Sequence, residues 1–435
     1  MLLVSNFVDY VQLKNNMWYV YNSMKGLGFV CSAELLELIK KADSKQLSRL
    51  NSNIISKLKK YGIVINSKED PVSYVDVWAK KMIPATLGKT LKGIVFMLTN
   101  KCNYCCTHCA AGSNGRLMGE ALDIGFMKEV IYDFLRFTGE KNVNIVFTGG
   151  EPLLEIKLIS EFCAFCVTIS QVTFSFTIIT NGSLLNKFSC SIIERFNIKI
   201  ELSLDGLQKT NDMNRQLNFK GSAFDKTIQG IKNLKENTNK SLRRITYTIT
   251  KKNGLPTREF IDFVTKLKVP DLYIQNDVYD ITYPNITSCI DSMMNLYMYC
   301  KNKSINIVWD WGQPFHNMMA INTDSEDATF AFCPTQNFKN LIISTSGNLL
   351  PCDYSLEQYT YIGIPSIKKY ITQRCKKYLD SYDSRNECKK CPIFCYCFGG
   401  CILKTKNDMI QSDHCKLLKQ GFKVMTREFL CYLIH

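Results

Sequence analysis

Nowhere in this 435-residue chain do about 18 apolar residues follow one another, the length a bilayer-spanning helix needs. The opening stretch, MLLVSNFVDYVQLKNN, carries a short apolar run. No basic segment precedes it and Asp9 interrupts it, so it does not read as a secretory signal. There is no tandem repeat and no low-complexity tract to suggest an array or a linker-rich chain. Acidic residues are the scarcer sign, 39 against 54 basic, for a formal net charge of +15. Yet no basic stripe interleaved with aromatics accompanies that surplus. Lys57, Lys59 and Lys60 form only a short cluster, and the charge reads as lysines spread over a solvated surface. A cytoplasmic protein is expected, with neither a membrane nor a nucleic acid as partner. Hydrophobic residues at 46% and charged residues at 21% suit a folded globular chain, and the length suggests two or three domains.

What the chain does have is cysteine, 20 in all. In a reducing compartment a disulfide framework is not expected, and clustered cysteines point to metal. One group is Cys102, Cys105, Cys106 and Cys109. A second is Cys388, Cys391, Cys395, Cys397 and Cys401, flanked by Cys333, Cys352, Cys375 and Cys415. The scattered Cys31, Cys163, Cys166, Cys190, Cys289, Cys300 and Cys431 read as small buried hydrophobes.

The organisation of the chain follows from its periodicity. Residues 1–85 contain no cysteine motif. A strand at 18–23, helices at 32–42 and 47–62, and a strand from 63 suggest a small winged-helix-like module. Between 86 and 320, buried strands at 93–99, 143–150, 172–182, 198–206, 243–251 and 272–279 alternate with helices at 124–138, 155–168, 186–195, 222–237 and 257–268. Six such units predict an α/β fold with a parallel sheet and right-handed crossovers, its active site at the C-terminal strand ends. From 321 to 435 regular periodicity fades, consistent with a segment organised around metal.

The first strand runs into LTNKCNYCCTHCAAG, with the spacing Cys102-x3-Cys106-x2-Cys109. Three thiolates on one tight loop can hold three irons of a 4Fe–4S cluster and leave the fourth iron open to a chelating ligand. Zinc sites more often pair two CxxC-like knuckles. Further short motifs end the next strands in order: Gly149-Gly150-Glu151-Pro152, Thr180-Asn181-Gly182, and Ser203-Leu204-Asp205-Gly206, with Arg215 twelve residues after Ser203. Each is weak alone, but their order at successive strand ends is specific.

Together these segments resemble the radical S-adenosylmethionine (SAM) superfamily. The resemblance implies a partial (β/α)6 barrel, with a cluster on Cys102, Cys106 and Cys109 whose open iron takes the amino and carboxylate groups of SAM. It implies reductive cleavage of SAM to a 5′-deoxyadenosyl radical, and hence an external electron donor of flavodoxin or ferredoxin type. By the same analogy the backbone at Gly149, Gly150, Glu151 and Pro152 meets the SAM amino group. Ser203 contacts SAM, as do residues near Thr180, Asn181 and Asp205. Arg215 meets the SAM carboxylate, a bidentate task suited to a guanidinium, and His108 packs near the adenine. Cys105 sits where the family varies and reads as a bystander.

The C-terminal cysteines fall as Cys333-x13-Gly347-x4-Cys352 and Cys388-x2-Cys391-x5-Cys397-x3-Cys401, with Cys415 thirteen residues later. This is similar to the SPASM extension of radical SAM enzymes that modify peptides and proteins, with a zinc ribbon as the structural alternative. The resemblance implies one auxiliary iron–sulfur cluster on Cys388, Cys391, Cys397 and Cys415, and another on Cys333, Cys352 and Cys401. Some relatives have an eighth cysteine where this chain has Lys339. The second cluster would then have an open iron, a non-cysteine ligand, or Cys395 or Cys375 as its fourth ligand. Asp353, directly after Cys352, stands where sulfatase-maturing relatives place a base; a turn-forming role is the alternative.

The expected function is maturation of a ribosomally made precursor peptide by hydrogen abstraction, forming a thioether or related cross-link. The N-terminal module would capture the peptide by strand addition. The alternatives are oxidation of Cys or Ser to formylglycine, as in anaerobic sulfatase maturation, and a non-enzymatic iron–sulfur or zinc protein that binds nucleic acid.

Overall fold

The structure, a computed structural model, describes residues 2–5, 7–23, 27–41, 43–66, 88–109, 111–112, 115, 117–277, 286–309, 312–322, 338–352, 355, 357–383, 388, 391–397 and 408–433. In the N-terminal unit, β2 (Val8–Gln12), β3 (Met17–Asn22) and β4 (Leu27–Ser32) form an antiparallel sheet in that order. Helices α1 (Ala33–Lys41), α2 (Ser44–Leu47) and α3 (Ser52–Lys60) follow, and β5 (Val64–Asn66) returns to pair with β1 (Leu2–Val4). Sequence periodicity found β3, α1, α3 and β5, but it ran the second helix unbroken over 47–62 and so missed the separate α2 and the break before Ser52. It missed β1, β2 and β4, which are short strands defined by their partners rather than by their own pattern.

The main sheet has nine strands in the order β12-β11-β10-β9-β8-β7-β6-β13-β14. Its parallel run is β6 (Gly93–Thr99), β7 (Asn142–Gly149), β8 (Thr173–Thr180), β9 (Lys199–Ser203), β10 (Leu242–Ile249), β11 (Asp271–Asn276) and β12 (Asn306–Trp309). The crossovers carry α4 (Ile124–Thr138), α5 (Ile156–Cys166), α6 (Lys187–Arg195), α7 (Gln208–Asn214), α8 (Ala223–Asn237), α9 (Arg258–Lys266) and α10 (Ile286–Asn302). The helix starts are written locally. Asp123, Asn186, Ser222 and Thr257 each accept a hydrogen bond from a backbone N–H in the first turn of the following helix. The strands bury aromatic and branched side chains, as a sheet covered by helices must. Phe147 of β7 stacks on Phe176 of β8, and Phe162 of α5 sets its ring edge-on against Phe96 of β6.

The six expected strands are all present as β6 to β11, and two additions extend them. β12 extends the parallel run by one strand. After α11 (Gln313–Asn322), β13 (Asn340–Ile343) pairs in parallel with β6, and β14 (Leu349–Leu350) pairs antiparallel with β13. The C-terminal segment thus supplies two strands to the main sheet before α12 (Ile364–Asp383), α13 (Phe394–Cys397) and α14 (Asp408–Leu433). α14 packs on α10, α11 and the N-terminal strand β2. Among the described residues no helix is long and apolar enough to cross a membrane.

Candidate active site

Parallel strands deliver all their C-terminal ends to one edge of a sheet, and there the structure opens a pocket of about 160 Å3. Consecutive strands line it: Met97 from β6, Thr148 and Gly149 from β7, Ile179 and Thr180 from β8, Ser203 from β9, Thr248 from β10 and Gln275 from β11. The loop after β6 adds Cys102, Cys106, His108 and Cys109 to the same wall.

That loop is held by its neighbours on both sides. Cys105 N and Thr107 N donate to the carbonyls of Gln216 and Asn214 at 2.6 and 2.8 Å. The Tyr104 hydroxyl donates to the Ala223 carbonyl at 2.8 Å. Asn103 accepts from Asn181 Nδ2 at 3.0 Å and donates to Ser183 at 2.8 Å, tying the cysteine loop to the end of β8. Gly150 N and Glu151 N donate to the carbonyls of Thr99 and Lys101, joining it to the end of β7. Gly149 makes this approach possible. Its φ is +128°, and a Cβ there would lie 2.5 Å from the Thr99 carbonyl oxygen.

Glu151 is buried, and both its carboxylate oxygens are used inside the protein. Oε1 accepts from Thr180 Oγ1 at 2.7 Å and Leu153 N at 3.0 Å, and Oε2 accepts from Asn181 N at 2.9 Å. Burial pushes its carboxyl up to about 7, against the pull of those three donors. Its geometry is that of a clamp between the ends of β7 and β8. Pro152 begins a single 3-10 turn, Pro152–Glu155, behind it.

Arg215 and Asp205 form a buried ion pair at the pocket wall. Arg215 Nη2 donates to Asp205 Oδ1 at 3.1 Å, and Nε lies 2.8 Å from Oδ2. Thr248 N donates to Oδ1 at 2.9 Å, and His108 Nε2 stands 3.4 Å from Oδ2. Burial works against the Arg215 charge, but the Asp205 carboxylate and Cys106 hold its pKa above the ordinary value. Burial lowers the His108 pKa; Asp205 opposes the shift and Arg215 adds to it. His108 Nδ1 is buried without a hydrogen-bond partner in the structure. Sequence reasoning gave Arg215 and Asp205 separate tasks. The structure binds them to each other, with His108 brought in from 97 positions away.

Withdrawal from water pushes the Cys102 thiol up to about 12 and Cys106 up to about 11. Glu151 and the other two thiols add to the rise at Cys102. At Cys106 Arg215 pulls down, while Asp205 and Cys109 push up. Bare thiolates are disfavoured here, and iron would displace protons that the pocket otherwise retains. Ligands spread around one cavity suit a cluster, where each thiolate takes a different iron. The donor set at Cys102, Cys106 and Cys109 therefore fits a cluster, beside a guanidinium and glycine backbone. Cys105 donates instead to Asn218 Oδ1 at 2.7 Å.

In the C-terminal segment Cys391 and Cys397 are buried, and Cys352, Cys388 and Cys415 half-buried. Cys388 and Cys391 close one turn through a 3.1 Å backbone bond, and Cys397 N donates to the Ile393 carbonyl. Cys333, Asp353 and Cys401 lie outside the described residues. Thr148, Ile179, Thr248 and Gln275 were missed from sequence; each lies within the last few residues of its strand, and that position was the available signal.

Residues 96–267 match the family model described as the Radical SAM superfamily. The radical SAM cyclopropyl synthase TigE of Paramaledivibacter caminithermalis is 22% identical across 92% of this chain and 89% of its own length. Among solved structures, native anSMEcpe with bound AdoMet superposes with a TM-score of 0.61 at 16% identity, covering 78% of this chain and 98% of that one. Streptococcus suis SuiB bound to precursor peptide SuiA superposes with a TM-score of 0.52 at 18% identity, covering 94% and 98%.

Proposed function

Since residues 96–267 match the Radical SAM superfamily model, we propose that the chain is a peptide maturase that takes hydrogen from a ribosomal precursor peptide with a 5′-deoxyadenosyl radical and closes a cross-link. The observation that carries this reading is the single pocket shared by Cys102, Cys106, Cys109, Gly149, Gly150, Ser203 and Arg215 at the strand ends. Cys102, Cys106 and Cys109 hold the 4Fe–4S cluster. The Gly149 and Gly150 carbonyls accept from the SAM ammonium, since Gly150 N–H and the next N–H are already bonded to the cysteine loop. Arg215, kept charged by Asp205, would offer its remaining N–H groups to the SAM carboxylate, and Ser203, in the same pocket wall, would contact SAM. Thr180, Asn181 and Glu151 keep that wall in place. Cys352, Cys388, Cys391, Cys397 and Cys415, with Cys333 and Cys401, would hold auxiliary clusters able to take up the second electron, and Asp353, next to Cys352 in sequence, would serve as the base. A flavodoxin- or ferredoxin-type donor supplies reducing electrons in the cytoplasm.

The N-terminal unit is the peptide-binding element in this reading. β4 is the last strand of its sheet, no strand pairs with its outer edge among the described residues, and Leu27 and Val30 on it are exposed. An extended peptide can add there as a further strand. The relative that spans nearly the whole chain is named a cyclopropyl synthase, so carbon–carbon ring closure stands beside a thioether as the bond to look for.

The test is mass spectrometry of the precursor peptide after anaerobic incubation with the enzyme, SAM and reductant. A cross-link keeps every heavy atom and loses two hydrogens, and deuterium from the attacked carbon appears in 5′-deoxyadenosine. Loss of sulfur from a Cys with an aldehyde in its place would replace this reading with formylglycine formation. No change in any peptide, with SAM still cleaved, would remove the peptide assignment.

A further inference from the structure

The loop that carries Cys102, Cys106 and Cys109 turns one wall to the pocket. Elsewhere it is laced to two further segments. Thr107 N donates to the Asn214 carbonyl at 2.8 Å and Cys105 N to that of Gln216 at 2.6 Å. Asn218 ties all three together. Its Nδ2 donates to the carbonyl of Cys102, at 3.4 Å, and to that of Gly115, and its Oδ1 accepts from Cys105 Sγ. Leu217, one residue earlier, packs on the small cluster of Cys102, Tyr104 and Ala223. The residues just beyond these ties turn large apolar side chains to solvent. Phe219 follows Asn218 and is 57% exposed; Met213 precedes Asn214 and is 37% exposed. Leu117 and Met118, past Gly115, are 58% and 88% exposed, and Met118 is the most exposed large apolar side chain among the described residues. None of the four lines the pocket. Exposed lysines flank them: Lys220 follows Phe219, and Lys209 stands four residues before Met213 on one face of α7. Of the nearby acids Glu120 is exposed, while the half-buried Asp212 spends its Oδ1 on Phe224 N and Asn211 Nδ2.

Apolar side chains scattered singly over a surface need no explanation, but several on hydrogen-bonded neighbouring segments mark a contact face. A substrate carbon has to enter the pocket, and these four side chains stay out of its lining. A protein that delivers an electron has only to touch the loop. An apolar centre flanked by lysines, on a chain of net charge +15, complements a small acidic redox protein. A flavin carried by such a protein presents a methylated, apolar ring edge, which suits the patch. We propose that Leu117, Met118, Met213 and Phe219, with Lys209 and Lys220, form the docking face for an acidic flavodoxin. The partner's reduced flavin loses one electron there, and the cluster held by Cys102, Cys106 and Cys109 gains it. The inference rests on the cluster assignment made above and adds the surface through which that cluster is reduced. Electron-transfer partners meet through small, weak interfaces, so a patch of this extent is sufficient.

The experiment uses the full, reconstituted chain and a purified acidic flavodoxin under anaerobic conditions, with two readouts. Binding is measured by calorimetric titration of oxidised flavodoxin into the chain. Turnover is 5′-deoxyadenosine formed with reduced flavodoxin and, separately, with dithionite, a small reductant that needs no docking face. Met118→Asp with Phe219→Asp, and Lys209→Glu with Lys220→Glu, should each raise the flavodoxin Kd about tenfold or more. Flavodoxin-driven 5′-deoxyadenosine should fall alongside, and dithionite-driven 5′-deoxyadenosine should stay at the parent level. Dithionite turnover also reports folding, and the lysine pair, confined to exposed side chains, stands in if the apolar pair does not fold. Added salt should weaken binding to the parent more than to the lysine variant. An unchanged Kd in both pairs overturns the inference, as does an equal loss with both reductants. So does a raised KM for the precursor peptide with flavodoxin binding intact, which would give the face to the substrate. If the parent forms no 5′-deoxyadenosine even with dithionite, the cluster assignment falls and the inference with it.

Discussion

Replacing Asp205 by Asn leaves the shape of the pocket wall and removes its one compensating charge. The Asp205 side chain is fully buried and that of Arg215 is 10% exposed, with Nε 2.8 Å and Nη2 3.1 Å from the two carboxylate oxygens. The Asn oxygen still accepts from Thr248 N, so that 2.9 Å bond survives. The guanidinium is then left in a site that burial already disfavours. Removing one partner of a buried ion pair costs about 3–5 kcal/mol, and that is the destabilisation expected for Asp205→Asn by anaerobic urea denaturation. The double variant Asp205→Asn with Arg215→Met should recover much of the loss, because the uncompensated charge goes with it. SAM affinity should fall in both, since Arg215 is either misplaced or gone. A cost under about 1 kcal/mol for Asp205→Asn alone would refute the argument, as would a double variant less stable than the single by the full additive amount.

Other outcomes follow from the same geometry. Gly149→Ala forces a side chain onto a φ of +128° against the Thr99 carbonyl. It should cost about 1–3 kcal/mol and lower the iron bound at the first cysteine motif, read by thermal unfolding and iron analysis. The Glu151 carboxyl is raised from 4.5 to about 7 in the fold. Its contribution is therefore fully present below about pH 4.5 and lost as pH rises through about 7, up to roughly 3 kcal/mol at 1.36 kcal/mol per unit. Urea midpoints of the metal-free protein minus those of Glu151→Gln should fall across that window; a flat difference would contradict the burial argument. Cys105→Ser should keep iron and 5′-deoxyadenosine formation, whereas Cys106→Ser should lose both.

The central α/β array was legible because its signals are local. Buried strand runs and side-chain caps at Asp123, Asn186, Ser222 and Thr257 are written within a few residues, and the predicted helices end within a few residues of the observed ones. β13 was not legible, because four residues become a strand only through their pairing with β6, some 250 positions earlier. The same division runs through the site. Spacing and strand-end position mark Cys102, Cys106, Cys109, Gly149 and Ser203. The pairing of Arg215 with Asp205, the approach of His108 and the clamp made by Glu151 depend on tertiary contacts that no spacing encodes. The bond between Asp9 and Lys423 spans 414 positions and lies furthest from anything a motif can carry.

The central claim is radical chemistry at the first cysteine loop, and its most direct test is 5′-deoxyadenosine released by the anaerobically reconstituted, reduced protein with SAM, compared with Cys102→Ala/Cys106→Ala/Cys109→Ala. The account predicts 5′-deoxyadenosine from the parent and none from the variant. The variant should lose about four irons per chain and keep the rest. Equal SAM cleavage by both proteins, or none by a fully iron-loaded parent, would contradict it.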